Sequence, residues 1–169
     1  MATRVEVVLG DITRCDADVI VNAANETLLG GGGVDGAIHD AAGPELLREC
    51  KSIGGCPTGE VRVTGAHNLP FQAIIHTVGP IWRGGHQGER DLLRACYEKA
   101  LAACAGLSAK RIAFPSISTG AFGFPEKLAA EIAVATCLSW DGLTPDVAVL
   151  TAIDHQAKSV LDEALAATT

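Results

Sequence analysis

A chain of 169 residues, 48% apolar and 20% charged, is long enough to bury a core without staples and is expected to form one domain over residues 1–169. The formal net charge of −7 argues against general nucleic-acid binding, which needs a basic face, and no apolar run approaches a membrane span. Residues 1–4 lead into an alternating segment without a signal-peptide core, so a cytoplasmic monomer is expected.

In chain order, residues 5–9 read as a strand ended by Gly10 and Asp11, and residues 18–22 as a second strand, apolar in a continuous run and so central. Short helices are predicted over 36–42 and 44–52, with Pro44 in a first turn. Residues 61–64 and 73–78 read as strands joined by a turn around Asn68–Pro70, and so as an antiparallel pair. From 89 to 105, Leu92, Cys96, Ala100 and Cys104 lie beside Leu93, Tyr97 and Leu101 in two i, i+4 rows, which predicts an amphipathic helix. A strand at 111–114 precedes a polar loop at 116–124, a helix from Pro125 to about Trp140 with Leu128, Ile132 and Ala135 inward, a strand at 146–152, and a final helix capped by Asp154. Strands that alternate with helices predict an α/β fold, a three-layer α/β/α sandwich on a central mixed, mostly parallel sheet.

The six cysteines include no C-x-x-C pair, and no Cys/His cluster has ligand spacing, so neither a disulfide framework nor a metal site is expected. Chemistry is expected between Asp18 and Gly43, where the second strand gives way to Asn22 and Asn25, then to Gly30–Gly33, Asp35 and a helix carrying His39. Glycines beside a helix start let the backbone approach a phosphate. Gly31, Gly33 and Gly36 spell G-x-G-x-x-G, but the match does not turn directly from the first strand into a helix, and the ribose-binding acid of a dinucleotide fold is missing. Asn22 and Asn25 can cap a turn or bind a ribose. Asp35, just ahead of the predicted helix, suits either an N-cap or a carboxylate that binds a ribose hydroxyl or orients a water. His39 falls on the same face at i+4, in a supporting place. Ser118, Thr119, Gly120 and Gly123 repeat the arrangement at another strand end, with Phe122 available to stack. Two such loops imply an elongated ligand containing a diphosphate.

These segments resemble the macro domain, the ADP-ribose-binding fold, in its MacroD-type branch. The matching stretches are Gly10-Asp11-Ile12-Thr13, Val21-Asn22-Ala23-Ala24-Asn25, residues 28–39, Ile75-His76-Thr77-Val78-Gly79-Pro80, residues 114–120 and Phe122-Gly123-Phe124-Pro125. The resemblance implies that Asp11 accepts from the adenine amine with the Ile12 backbone beside it. It implies that Asn25 and Asp35 hold the distal ribose and a water. Gly32, Gly33 and Val34 would meet one phosphate, and Ser118, Thr119, Gly120, Ala121 and Phe122 would wrap the other. The implied activity is hydrolysis of esters on the distal ribose, in O-acetyl-ADP-ribose and mono-ADP-ribosylated proteins, without cofactor or metal. Asp35 as general base, and a substrate phosphate as base with Asp35 orienting the water, are both compatible with this pattern. The alternative is an ADP-ribose reader that binds without turnover. One position departs from the family: an aromatic that often stacks on adenine just before Asp154 is here Ile153.

Overall fold

The computed structural model describes residues 2–168. Among these, six strands form one sheet: β1 (Arg4–Leu9), β2 (Val19–Ala23), β3 (Val61–Thr64), β4 (Ala73–Thr77), β5 (Arg111–Phe114) and β6 (Val147–Ala152). Their order is β1-β6-β5-β2-β4-β3. Neighbours run parallel except β3, which pairs with β4 antiparallel, so the predicted mixed sheet and its one hairpin are both present.

Central β2 explains the layers. Val19, Ile20 and Val21 expose no surface, because alternate side chains enter two separate cores. Val19 and Val21 join α3 (Glu89–Gly106), α4 (Glu126–Ser139) and α5 (His155–Ala166) on one face, whereas Ile20 packs with α1 (Gly33–Ala42) and α2 (Pro44–Ile53) on the other. Each such aliphatic side chain, fully buried, contributes about 1.5–3 kcal/mol.

Local signals set several boundaries. Pro44 occupies the first turn of α2, and Gly54, at φ 83°, ends that helix with its N–H on the Cys50 carbonyl. Asp154 caps α5 by accepting from the Ala157 amide at 2.8 Å. Both predicted rows of α3 point inward, although Leu92 stays partly exposed. Two expectations fail. Ala135 is exposed, because the inner face of α4 is made by Ala129, Ala130, Ile132, Ala133, Val134 and Cys137. The helix expected from residue 36 begins at Gly33, because Gly33, Val34 and Asp35 join α1 while Gly30–Gly32 remain the turn ahead of it.

Parallel strands bring their carboxyl ends to a common edge, where α/β proteins bind ligands. The loops after β1, β2, β4, β5 and β6 all emerge there. Gly10 donates to the Ala152 carbonyl and Ala24 to that of Thr77, both at 2.9 Å, so adjacent loops start in fixed register.

Candidate active site

The earlier helix start changes the position of Asp35. It lies in the first turn of α1, and the N-cap is Gly32, which has no side chain to cap with. Asp35 is therefore not the cap, and the leading N–H groups of α1 are left without a side-chain cap. That end of a helix attracts anions.

Asp35 is only 5% exposed, which a carboxylate tolerates when hydrogen-bonded. Its Oδ1 accepts from Asn22 Nδ2 at 2.8 Å and lies 3.5 Å from His39 Nε2, the i+4 neighbour on the same face. Its Oδ2 faces Gly31, where an added Cβ would sit 3.1 Å from that oxygen and 3.4 Å from Asn25 Nδ2. The three residues expected to act together, Asn25, Asp35 and His39, thus gather around the glycine turn.

The two asparagines differ in role. Asn25 binds its own loop: Nδ2 donates to the Gly30 carbonyl at 2.9 Å, and Oδ1 accepts from the amide and hydroxyl of Thr27. It remains partly exposed beside the cradle. Asn22 exposes nothing, so the expectation that it touches a ligand is corrected; it reaches the site only through Asp35.

The second wall is the loop after β5. Ser118 takes φ 67°, a left-handed conformation that costs a non-glycine residue about 1–2 kcal/mol, and its buried Oγ has no partner among the described residues. Strain of this kind collects at ligand sites. The loop is closed by Gly123 N to Gly120 O at 3.0 Å and Phe124 N to Ser118 O at 2.9 Å. The amides of Thr119, Gly120, Ala121 and Phe122 find no acceptor among the described residues, a row of donors suited to a phosphate. Gly79 lets the exit of β4 pass beneath, since a Cβ there would lie 2.1 Å from Ser118 Oγ. Phe122 is half-buried, whereas Phe124 belongs to the core, its ring 4.8 Å from that of Trp82. The Trp82 amide donates to the Phe122 carbonyl at 2.8 Å and so ties this wall to the loop after β4.

That loop is anchored by a residue the sequence reading did not single out. Glu89, buried at the start of α3, accepts from the amides of Arg83, Gly85 and Gln87 at 2.9, 2.8 and 2.6 Å. These bonds, the one from Arg83 foremost, hold its pKa down to about 2. A carboxylate lowered in the folded state stabilises fully above its unfolded value near 4.5 and loses that contribution as pH falls toward 2. We therefore expect urea midpoints of the wild type to drop between pH 4.5 and 2, and Glu89→Gln to flatten that part of the profile. Parallel profiles would show that Glu89 does not anchor the loop.

At the far end, Asp11 is exposed and Ile12 is buried beside it. Asp11 Oδ1 accepts from the hydroxyl and amide of Thr13, which hold the carboxyl below its ordinary range, and Oδ2 makes no bond among the described residues. Ile153 follows Ala152, the β6 partner of Leu9, and is 87% exposed. All six cysteines are free, and burial pushes the thiols of Cys50 and Cys137 up to about 11 and 12, so neither is a thiolate at neutral pH. Among the described residues, no group of three or more His, Cys, Asp or Glu is arranged to hold a metal ion.

Behind Asn22 lies His76, whose Nδ1 is 3.1 Å from Asn22 Nδ2 and whose Nε2 is 2.9 Å from Thr64 Oγ1. Burial, with a smaller contribution from His39, lowers its pKa to about 4. No role was read for His76 from the sequence. The usable signal was two polar residues, Asn22 and His76, late in two apolar strands that lie side by side.

An α/β/α sandwich with an uncapped helix start, a row of unbonded loop amides and a buried carboxylate, all after strands that end at one sheet edge, suits a diphosphate-bearing ligand. The macro domain family model matches residues 21–133, and the chain belongs to that family. It is 56% identical over 140 residues to the O-acetyl-ADP-ribose deacetylase of Escherichia coli K12, an alignment covering 80% of this chain and 79% of the relative. A macro domain-containing protein of Methanosarcina mazei is 59% identical over 78% of this chain and 71% of its own length. Among solved structures, an Oceanobacillus iheyensis macrodomain mutant with ADPR superimposes with a TM-score of 0.92 at 43% identity, covering 97% of this chain and 92% of that one. A Trypanosoma brucei macrodomain in complex with ADP-ribose gives 0.87 at 38% identity, covering 95% and 68%.

Proposed function

We propose that this protein is an ADP-ribosyl ester hydrolase that deacetylates O-acetyl-ADP-ribose and removes mono-ADP-ribose from acidic side chains of modified proteins. The observation that carries the reading is Asp35, a buried carboxylate in the first turn of α1, held through one oxygen by Asn22 and with the other facing the Gly31 turn. Binding alone needs the walls but not a carboxylate beside the distal ribose. The deacetylase relatives support the same choice.

In this reading the N-cap and first turn of α1 (Gly32, Gly33, Val34) and the amides from Thr119 to Phe122 hold the diphosphate, each N–H offsetting negative charge. Adenine lies toward Asp11, Ile12 and Ile153. The distal ribose reaches Asn25 and Asp35, with Phe122 against it. Asp35 accepts a hydrogen bond from a water and aims its oxygen at the ester carbonyl carbon. The new C–O bond forms, the bond to the ribose oxygen breaks, the water gives up a proton and the departing oxygen gains one. The products are a carboxylic acid and a ribose hydroxyl. Holding the water in line supplies much of the acceleration.

The finer assignment is a MacroD-type enzyme, a single-domain monomer over residues 1–169 that works in the cytoplasm. Its support is the set of unpaired cysteines, which suits a reducing compartment, and the net charge of −7, which disfavours nucleic acid as a partner. The structural fact bearing on membranes is that no described helix is long and apolar enough to cross one.

Incubation with O-acetyl-ADP-ribose tests the proposal: acetate and ADP-ribose should appear one for one, far in excess of enzyme. Binding without release would leave a reader. The adenine end makes a separate prediction. Ile153→Tyr should restore a stacking partner worth about 0.5–1.5 kcal/mol, so ADP-ribose should bind roughly 2- to 10-fold tighter by calorimetry. Unchanged affinity would mean that the base does not rest on residue 153.

A further inference from the structure

A line of hydrogen bonds runs through the sheet from β3 to Asp35, and its polarity follows from the donors available. Thr64 spends its hydroxyl proton on the Gly65 carbonyl at 3.0 Å, so toward His76 it can only accept. His76 Nε2 therefore carries the ring proton, and Nδ1 presents a lone pair. That lone pair and Asp35 Oδ1 are both acceptors, and both face Nδ2 of Asn22, which has two N–H groups. Turning the amide over would put its oxygen against a carboxylate and a lone pair. Asn22 Oδ1 is buried with no partner among the described residues, so the amide is oriented by those two acceptors rather than by satisfaction of its own oxygen. Strand register makes the line possible, because Asn22 stands beside His76 in the parallel β2–β4 pair and His76 opposite Arg62 in the antiparallel β3–β4 pair, with Thr64 two residues further along β3.

We infer that His76, Asn22 and Thr64 are positioning residues for hydrolysis: the lone pair of His76 Nδ1 fixes the Asn22 amide, which pins one Asp35 oxygen and leaves the other aimed at the cradle. The inference rests on the hydrolase reading above and deepens it. None of the three need touch substrate; Asn22 and His76 expose no surface and Thr64 is 3% exposed. Without the donor, Asp35 Oδ1 has only His39 beside it and the carboxylate is free to turn. A small misplacement of a catalytic group lowers a rate by on the order of ten- to a hundred-fold.

Two substitutions at one position separate positioning from bulk. His76→Asn places an amide oxygen near the site of Nδ1 and keeps an acceptor for Asn22; His76→Gln places its amide near the site of Nε2 and does not. The His76→Gln variant should lose on the order of ten- to a hundred-fold in kcat on O-acetyl-ADP-ribose while its calorimetric Kd for ADP-ribose holds. The His76→Asn variant should stay close to wild type in both. Wild-type kcat in the His76→Gln protein, equal loss in the two variants, or loss of binding in step with kcat would each overturn the assignment. A nitrogen-15 spectrum of the wild-type imidazole is the second measurement, and it needs no turnover and no variant that folds. It should show the Nε2–H tautomer, and an Nδ1–H tautomer would overturn the lock. If the wild type bound ADP-ribose but never turned over, the hydrolase reading would fall, while this spectrum would still decide the polarity of the line.

Discussion

Asp35→Ala should abolish ester hydrolysis while ADP-ribose binding largely survives. The phosphate contacts assigned to this protein come from backbone, the first turn of α1 and the loop from Ser118 to Phe122, and deleting a carboxylate does not remove them. What disappears is the acceptor that holds the water. Proton-accepting groups of this kind contribute typically about 10²–10⁴-fold, so kcat should fall by at least roughly a hundred-fold. A modest loss of stability should accompany it, because the buried Asn22 amide loses an acceptor, at about 1–3 kcal/mol. Thermal unfolding with and without ADP-ribose separates the effects: a protein that still gains stability from ligand but does not turn over has lost chemistry. Unaltered turnover would remove Asp35 from the mechanism.

Gly36→Ala should weaken ADP-ribose binding by about ten-fold or more, although a helix position ordinarily favours alanine. The propensity gain is about 1 kcal/mol. Against it, a Cβ at residue 36 would lie 2.6 Å from the Gly31 carbonyl oxygen. That neighbour is backbone, with no rotamer to move away, so the turn carrying Gly31 and Gly32 must shift. Gly32 is the N-cap of α1 and Gly31 packs beside both Asn25 and Asp35, so the shift disorders the phosphate wall and the carboxylate together. Ten-fold in affinity corresponds to about 1.4 kcal/mol, well within the reach of calorimetry. Wild-type affinity in Gly36→Ala would mean that this turn does not shape the ligand site.

Much of this arrangement is legible in the residues. Continuous apolar runs such as Val19–Val21 identify a sheet covered on both faces, and the short 61–78 segment identifies its antiparallel edge. The order of motifs identifies the family. The start of α1 is not legible in the residues, because glycine is a poor helix former and local propensity gives no sign that residues 33–35 are recruited by the helix behind them. Ala135 was misplaced because an alanine-rich helix has little contrast between its faces. The roles of Asn22, His76 and Glu89 depend on strand register and on three loop amides converging on one carboxylate, and neither is encoded in local pattern. Ser118 illustrates the same limit: nothing about a serine announces a left-handed backbone, which here follows from the loop closing over Gly79.

The central claim is that this macro domain cuts ADP-ribose free rather than merely holding it. The direct measurement is a time course with substoichiometric protein on a mono-ADP-ribosylated substrate carrying the modification on glutamate or aspartate, following free ADP-ribose. Many equivalents should be released per protein molecule, and none above background with Asp35→Ala. Release that never exceeds background with the wild-type protein, despite tight binding of ADP-ribose, would contradict it.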